Sequence, residues 1–112
     1  MGRLRISYRG FYDVPRTFVA EWKGRLFYFD GHFDERLDDY PDHFRVHELP
    51  STLSEQVETL SWEGLAETGR YVGQVPVKEV SFARRRIQEI TGFHSPGVSS
   101  IDDAIFRTLG LE

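Results

Sequence analysis

RLFYFDGHFDERLDDYPDHFRVHEL, residues 25–49, sets two alternating patterns on either side of an acidic turn and holds three of the chain's four histidines. Side chains on a strand alternate between its faces, and one buried face fixes the register. Parity puts Phe27, Phe29 and Phe33 on one face of the first strand and Leu26, Tyr28, Asp30 and His32 on the other. In the second strand, Phe44 and Val46 oppose His43, Arg45 and His47. With the phenylalanines inward, a pairing that sets His32 across from His43 also sets Asp30 across from Arg45, Tyr28 across from His47 and Phe29 across from Val46. A slip of two residues brings Asp30 opposite His43 or His47 instead. In either register the histidines and Asp30 are neighbours outside the main core.

Working back from this stretch, Lys23-Gly24 is short enough for a two-residue hairpin turn. Pairing through it sets Ala20 against Phe27, Phe18 against Phe29, Val19 against Tyr28, Thr17 against Asp30 and Glu21 against Leu26. The apolar faces of 17–22 and 25–30 then coincide. Leu4, Ile6 and Tyr8 alternate with Arg3, Arg5, Ser7 and Arg9, which predicts a first strand ended by Gly10, with Phe11 and Tyr12 exposed in the connection. Pro41 cannot donate to a ladder and marks the start of the fourth strand. Four antiparallel strands in a meander result, closed by Pro50.

Working forward, Thr52-Leu-Ser-Glu55 has the form of a capping box, and Leu53, Val57 and Leu60 recur at helical spacing. Trp62 and Leu65 extend the pattern across a weakening Gly64. Tyr71, Val75 and Val77 share a parity in an irregular or strand-like stretch. Over 78–91, Val80, Ala83, Ile87 and Ile90 line a helical face with Gly92 as its C-cap, and a strand through Val80 and Phe82 is the competing reading. A loop over 93–97 follows. Ser99 or Ser100 then caps a last helix, with Asp102 and Asp103 in its first turn and Ile101, Ala104, Ile105 and Leu109 on its apolar face. Strands followed by helices predict an α+β fold: a four-stranded antiparallel meander with two or three C-terminal helices packed on one sheet face. No repeat or linker divides residues 1–112, so a single domain is expected.

A net charge of -4 and a pI near 5.5 argue against a dedicated nucleic-acid or anionic-membrane binder. Without cysteine there is no disulfide, thiolate or cysteine-ligated metal chemistry. No apolar run is long enough for a signal-peptide core or a membrane helix, and Ile6 occupies the position where a myristoylation pattern needs Ser or Thr. A cytoplasmic location is expected.

Three histidines and Asp30 within one hairpin form a candidate metal set, Asp30, His32, His43 and His47, because imidazole and carboxylate suit zinc or a similar divalent ion. His43 and His47 stand about 13 Å apart on a straight strand, so they cannot share an ion there. A metal-dependent hydrolase is therefore the alternative reading, and a solvated polar face with no cofactor is the leading one. Asp34, Glu35, Asp38, Asp39 and Asp42 lack the ordered ligand positions and central glycine of a calcium loop. Arg84, Arg85 and Arg86 span most of a helix circumference; joined to Arg3, Arg5 and Arg9 they would be needed for a nucleic-acid groove. Adjacent His94 and Ser95 have no third member to make a catalytic set.

The outer sheet face has the anatomy of a protein-binding patch: Val19, Leu26 and Tyr28 rimmed by Arg5, Glu21, Asp30, Arg45 and His47. The competing reading covers this face with a helix as a second core layer. The leading functional expectation is a small module that binds another protein through Leu26, Tyr28, Asp30, Arg45 and His47, with Asp38 and Asp39 of the acidic loop. An inhibitor or immunity-type protein of a basic partner is one form of it. Homo-oligomerisation is left open.

Overall fold

The computed structural model describes residues 2–12, 14–84 and 98–111. Seven strands run antiparallel in the spatial order β5-β4-β3-β2-β1-β7-β6. They are β1 (Arg3–Tyr12), β2 (Val14–Trp22), β3 (Arg25–Asp30), β4 (His43–Leu49), β5 (Arg70–Pro76), β6 (Phe82–Arg84) and β7 (Val98–Asp102). Two single-turn helices, α1 (Leu65–Thr68) and α2 (Ile105–Thr108), and two short 3₁₀ turns complete the fold.

Within the meander, β2, β3 and β4 pair in the register that parity predicts. Lys23 and Gly24 both take positive φ, 52° and 76°, the geometry of a turn whose twist matches its flanking strands. Ala20 therefore pairs with Phe27, Phe18 with Phe29 and Val19 with Tyr28. Across the next seam Tyr28 pairs with His47, Phe29 with Val46 and Asp30 with Arg45. The inward face buries Phe18, Phe27, Phe29, Phe44 and Val46 completely. Rings there meet mostly edge to face or tilted, while Phe18 and Phe29 stack at 4.4 Å.

Beyond this meander, β5 forms where an irregular or strand-like stretch is expected, and the remaining architecture differs from the expectation. β5 extends one side of the sheet, and β7 then β6 extend the other, because β1 offers its free edge to the C-terminal segment: Leu4 pairs with Ile101 and Arg3 with Asp102. The segment 98–102, with its serines and acids, reads locally as a helix start yet forms a strand, since the partner lies almost a chain length away. β1 and β2 also run further than expected, through Gly10 at φ 76° to Tyr12 and from Val14. Of the two readings of 78–91, the described part takes the strand, from Phe82. Ile87, Ile90, Gly92, the 93–97 loop and Arg85 and Arg86 lie outside the described residues.

Among the described residues the helices are single turns on opposite faces, where two or three on one face were expected. Phe106 and Ile105 of α2 seal the phenylalanine core, with Phe106 stacked on Trp22 at 4.5 Å. The capping box does not form: the 3₁₀ turn Ser51–Gln56 starts from Pro50 with no side-chain cap. Gly64 at φ 76° prevents continuation to Leu65. Residues 51–69 instead lie across the outer sheet face, where Val57, Trp62 and Leu65 bury a second cluster with Val19, Leu26, Tyr28 and Leu49. The helical spacing of Leu53, Val57 and Leu60 marks residues that do pack inward, but from turns.

Candidate functional site

The acidic loop, residues 31–42, is a folded protrusion. Gly31 continues the β2–β3 ladder by donating to the Arg16 carbonyl at 2.7 Å, and it is buried so tightly that a β-carbon would stand 2.9 Å from the Phe44 ring. From there the chain leaves the sheet. The loop closes on itself through Asp34 and Asp39, whose backbone N–H groups each donate to the other's carbonyl at 2.9 and 3.3 Å. The Asp34 carboxylate accepts from the Arg36 N–H, and the Asp39 carboxylate from the Tyr40 N–H. Asp38 takes φ 54°, a left-handed position that Asp tolerates better than most residues. Arg16 braces the base: its guanidinium lies 4.7 Å over Tyr40 and donates to the Pro41 carbonyl.

This closure carries two large apolar side chains outward. Leu37 is 61% exposed at the tip and Phe33 is 41% exposed, its ring edge-on to Tyr40 at 5.3 Å. Exposed Glu35, Arg36, Asp38 and Asp39 surround them. Phe33 had been expected inward with Phe27 and Phe29. The parity ends at Gly31, where the strand ends, so Phe33 is freed from it.

Each end of the loop carries a histidine held by a carboxylate. Asp30 Oδ1 accepts from His32 Nδ1 at 2.5 Å, and Asp42 Oδ1 from His43 Nδ1 at 2.6 Å. The bond from His43, and then its charge, holds the Asp42 carboxyl below the usual carboxylate range. Both pairs line one cleft of about 230 Å³ with Arg45 and Gln74. The candidate metal set Asp30, His32, His43 and His47 is nevertheless not assembled. Among the described residues no three His, Asp or Glu side chains gather closely enough for an ion. His47 faces the second apolar cluster, where burial is the main cause that lowers its basicity; Asp30 and Glu67 act the other way and Arg45 adds to the lowering.

The expected outer-face patch is corrected by the same cover. Leu26 at 2%, Tyr28 at 6% and His47 at 9% exposure lie beneath residues 51–69 and cannot meet a partner's surface in this arrangement. Burial, reinforced by Asp30 and Glu67, drives the Tyr28 phenol far above its ordinary range. Of the predicted binding residues, Asp38, Asp39 and Arg45 are exposed and Asp30 is half-buried. The basic strand is also engaged within the molecule: Arg9 stacks on Trp62 at 4.4 Å and donates to the Val57 and Glu58 carbonyls, and Arg3 donates to Ser81 and Ser100.

No family model, curated protein or solved structure matches this chain. Among the described residues no helix is long and apolar enough to cross a membrane. Sequence reasoning missed the exposure of Leu37 and Phe33. Leu37 carried a usable signal, being a large apolar residue within an acidic turn with no strand parity to bury it.

Proposed function

We propose that this protein is a small protein-binding module whose acidic loop, residues 31–42, docks on a basic protein surface. The observation that carries the reading is the exposure of Leu37 and Phe33 on a self-closed loop ringed by Asp34, Glu35, Asp38 and Asp39. Apolar anchors within a charged rim supply affinity at the centre and orientation at the edge. The negative rim selects a partner rich in Lys and Arg and accelerates its approach. Because the loop is already closed by its own hydrogen bonds, docking orders little additional backbone. An inhibitor or immunity-type role against a basic enzyme, such as a nuclease toxin, fits this chemistry.

The test is a pull-down with wild type, Leu37→Ala, and the double variant Asp38→Asn with Asp39→Asn. Asn keeps the left-handed conformation at 38 and the acceptor at 39. The expected result is a basic protein retained by wild type, released by raised salt and lost from both variants. Equal recovery of every partner by all three proteins sinks the reading.

A further inference from the structure

Residues 51–69 are held to the outer sheet face by side chains and not by a strand ladder. The backbone-to-backbone hydrogen bonds of this segment close locally: Leu53 to Pro50, Thr59 and Leu60 to Gln56, Leu65 to Trp62, Glu67 to Gly64 and Gly69 to Ala66. No ladder joins it to β1–β4. Its attachment is the apolar contact of Val57, Trp62 and Leu65, together with Arg9, which lies over Trp62 and donates to the Val57 and Glu58 carbonyls, and a bond from the Ser7 hydroxyl to Glu58 at 2.5 Å. The cluster beneath it is separate from the phenylalanine core, on the opposite face of the same sheet.

Against the C-terminal end of this segment, at Gly69, sits His47, a titratable group whose Nδ1 is buried without a hydrogen-bond partner. Its ring meets Tyr71 of β5 edge-on at 5.5 Å, and its β-carbon lies 3.2 Å from where a β-carbon on Gly69 would stand. The groups facing it are Tyr28 and Asp30 from β3, Arg45 from β4, Glu67 from α1 and Tyr71 from β5. A neutral imidazole fits this site, whereas an imidazolium there would add a buried N–H donor without an acceptor.

We propose that residues 51–69 form an acid-released cover, which lifts from the outer sheet face when His47 is protonated while the phenylalanine core stays folded. Lifting gives the imidazolium water and exposes Val19, Leu26 and Tyr28. The direction follows from linkage. His47 is harder to protonate under the cover than in water, so the closed form is favoured above the ordinary imidazole range and loses that advantage as the pH falls. The opening equilibrium rises by up to about tenfold per pH unit below about pH 6.5, until the closed form too takes the proton.

The two tryptophans report the two clusters separately. Trp62 belongs to the cover and Trp22 to the phenylalanine core. In the Trp22→Phe protein, acidification from about pH 7.5 to about pH 5 is expected to shift Trp62 emission to the red and raise binding of a hydrophobic dye. In the Trp62→Phe protein, Trp22 keeps its buried emission over the same range. Adding His47→Phe removes the Trp62 response. Hydrogen exchange of the unsubstituted protein reads the same event: after correction for intrinsic rates, peptides from 51–69 lose protection on acidification while β2 and β3 keep theirs. The proposal is overturned by a Trp62 signal that does not move, by Trp22 moving with the same midpoint, by an unchanged response in the His47→Phe protein, or by equal loss of protection in both regions.

Discussion

Gly69 packs its α-carbon against the carbonyl oxygen of Glu48, so closely that a β-carbon there would stand 2.7 Å from that oxygen and 2.9 Å from Leu49 Cδ2. The backbone at Gly69 is extended, with φ -100° and ψ -179°, and any residue can adopt it. The demand for glycine is therefore steric alone. Gly69→Ala is expected to destabilise the fold by about 1–3 kcal/mol, because a strand carbonyl yields less readily than the far end of a side chain. Urea unfolding would show this as a lower midpoint, and an unchanged midpoint would mean that β4 and β5 separate easily.

Glu48, on the other face, joins β3 to β5. Its carboxylate accepts two bonds from Arg25, at 2.9 and 2.8 Å, and one from Arg70 at 2.9 Å. The Arg25 bond is the first cause holding the Glu48 carboxyl below the usual carboxylate range. With a depressed folded value, the stability it contributes is present above the ordinary glutamate range and is lost as the pH falls through the folded value. Glu48→Gln is expected to cost about 1 kcal/mol at neutral pH and much less in acid, where wild type has already lost the contribution. Parallel stability curves for the two proteins across the acid range would contradict this.

Tyr28 supplies the alkaline counterpart. Burial raises its phenol far above the ordinary tyrosine value, so the unfolded chain ionises first. A raised folded value contributes stability that is whole below about pH 10 and declines as the pH climbs past it. Of the five tyrosines, Tyr28 should ionise only as the protein unfolds. Ultraviolet titration of phenolate reads this directly, and Tyr28→Phe should abolish the late component. Ionisation of Tyr28 within the folded state would show that residues 51–69 admit water to the outer face.

The meander was legible because its information is local. A two-residue turn with one glycine fixes the register of β2 on β3, and the alternation of Phe27 and Phe29 with Tyr28 and Asp30 carries it across to β4. The C-terminal strand β7 was not legible for the opposite reason. Ser100 and Asp102 satisfy a helix-start pattern, and only the free edge of β1, almost a hundred residues earlier, makes 98–102 a strand. The outer face fell between these cases. Parity correctly grouped Leu26, Tyr28 and His47, but a grouping on one face says nothing of what covers it, and the apolar spacing of Val57 through Leu65 fits a covering helix as well as covering turns. What stays exposed is the other part of the expected site, the acidic loop beside that face. Asp38 and Asp39 stay exposed there, and Leu37 joins them.

Charge removal at the loop tip separates fold from surface. Asp38 and Asp39 are exposed, and the carboxylate of Asp39 caps one N–H of its own loop. Asp38→Asn with Asp39→Asn should leave the urea midpoint within about 0.5 kcal/mol of wild type, as surface changes generally do. A large loss of stability would mean that the loop braces the sheet, and the pull-down could then no longer be read as a surface effect.

Phe106 anchors the far side. Its ring stacks on Trp22 at 4.5 Å and meets Phe27 at 4.9 Å and Phe29 at 6.0 Å, so a single-turn helix closes the aromatic core with one side chain. α2 has little stability of its own at four residues, and the backbone that joins it to β7 is kept in place by this burial. Phe106→Ala is expected to cost about 3–5 kcal/mol, the combined loss of transfer energy and of packing around the cavity it leaves. Phe106→Leu should recover a good part of that by filling the volume without the ring. Because the cavity opens beside Trp22 and not beside Trp62, Trp22 fluorescence should change in both variants while Trp62 keeps its emission. A change in Trp62 of equal size would mean that the two faces of the sheet are packed as one cooperative unit, and that α2 supports residues 51–69 through the strands between them.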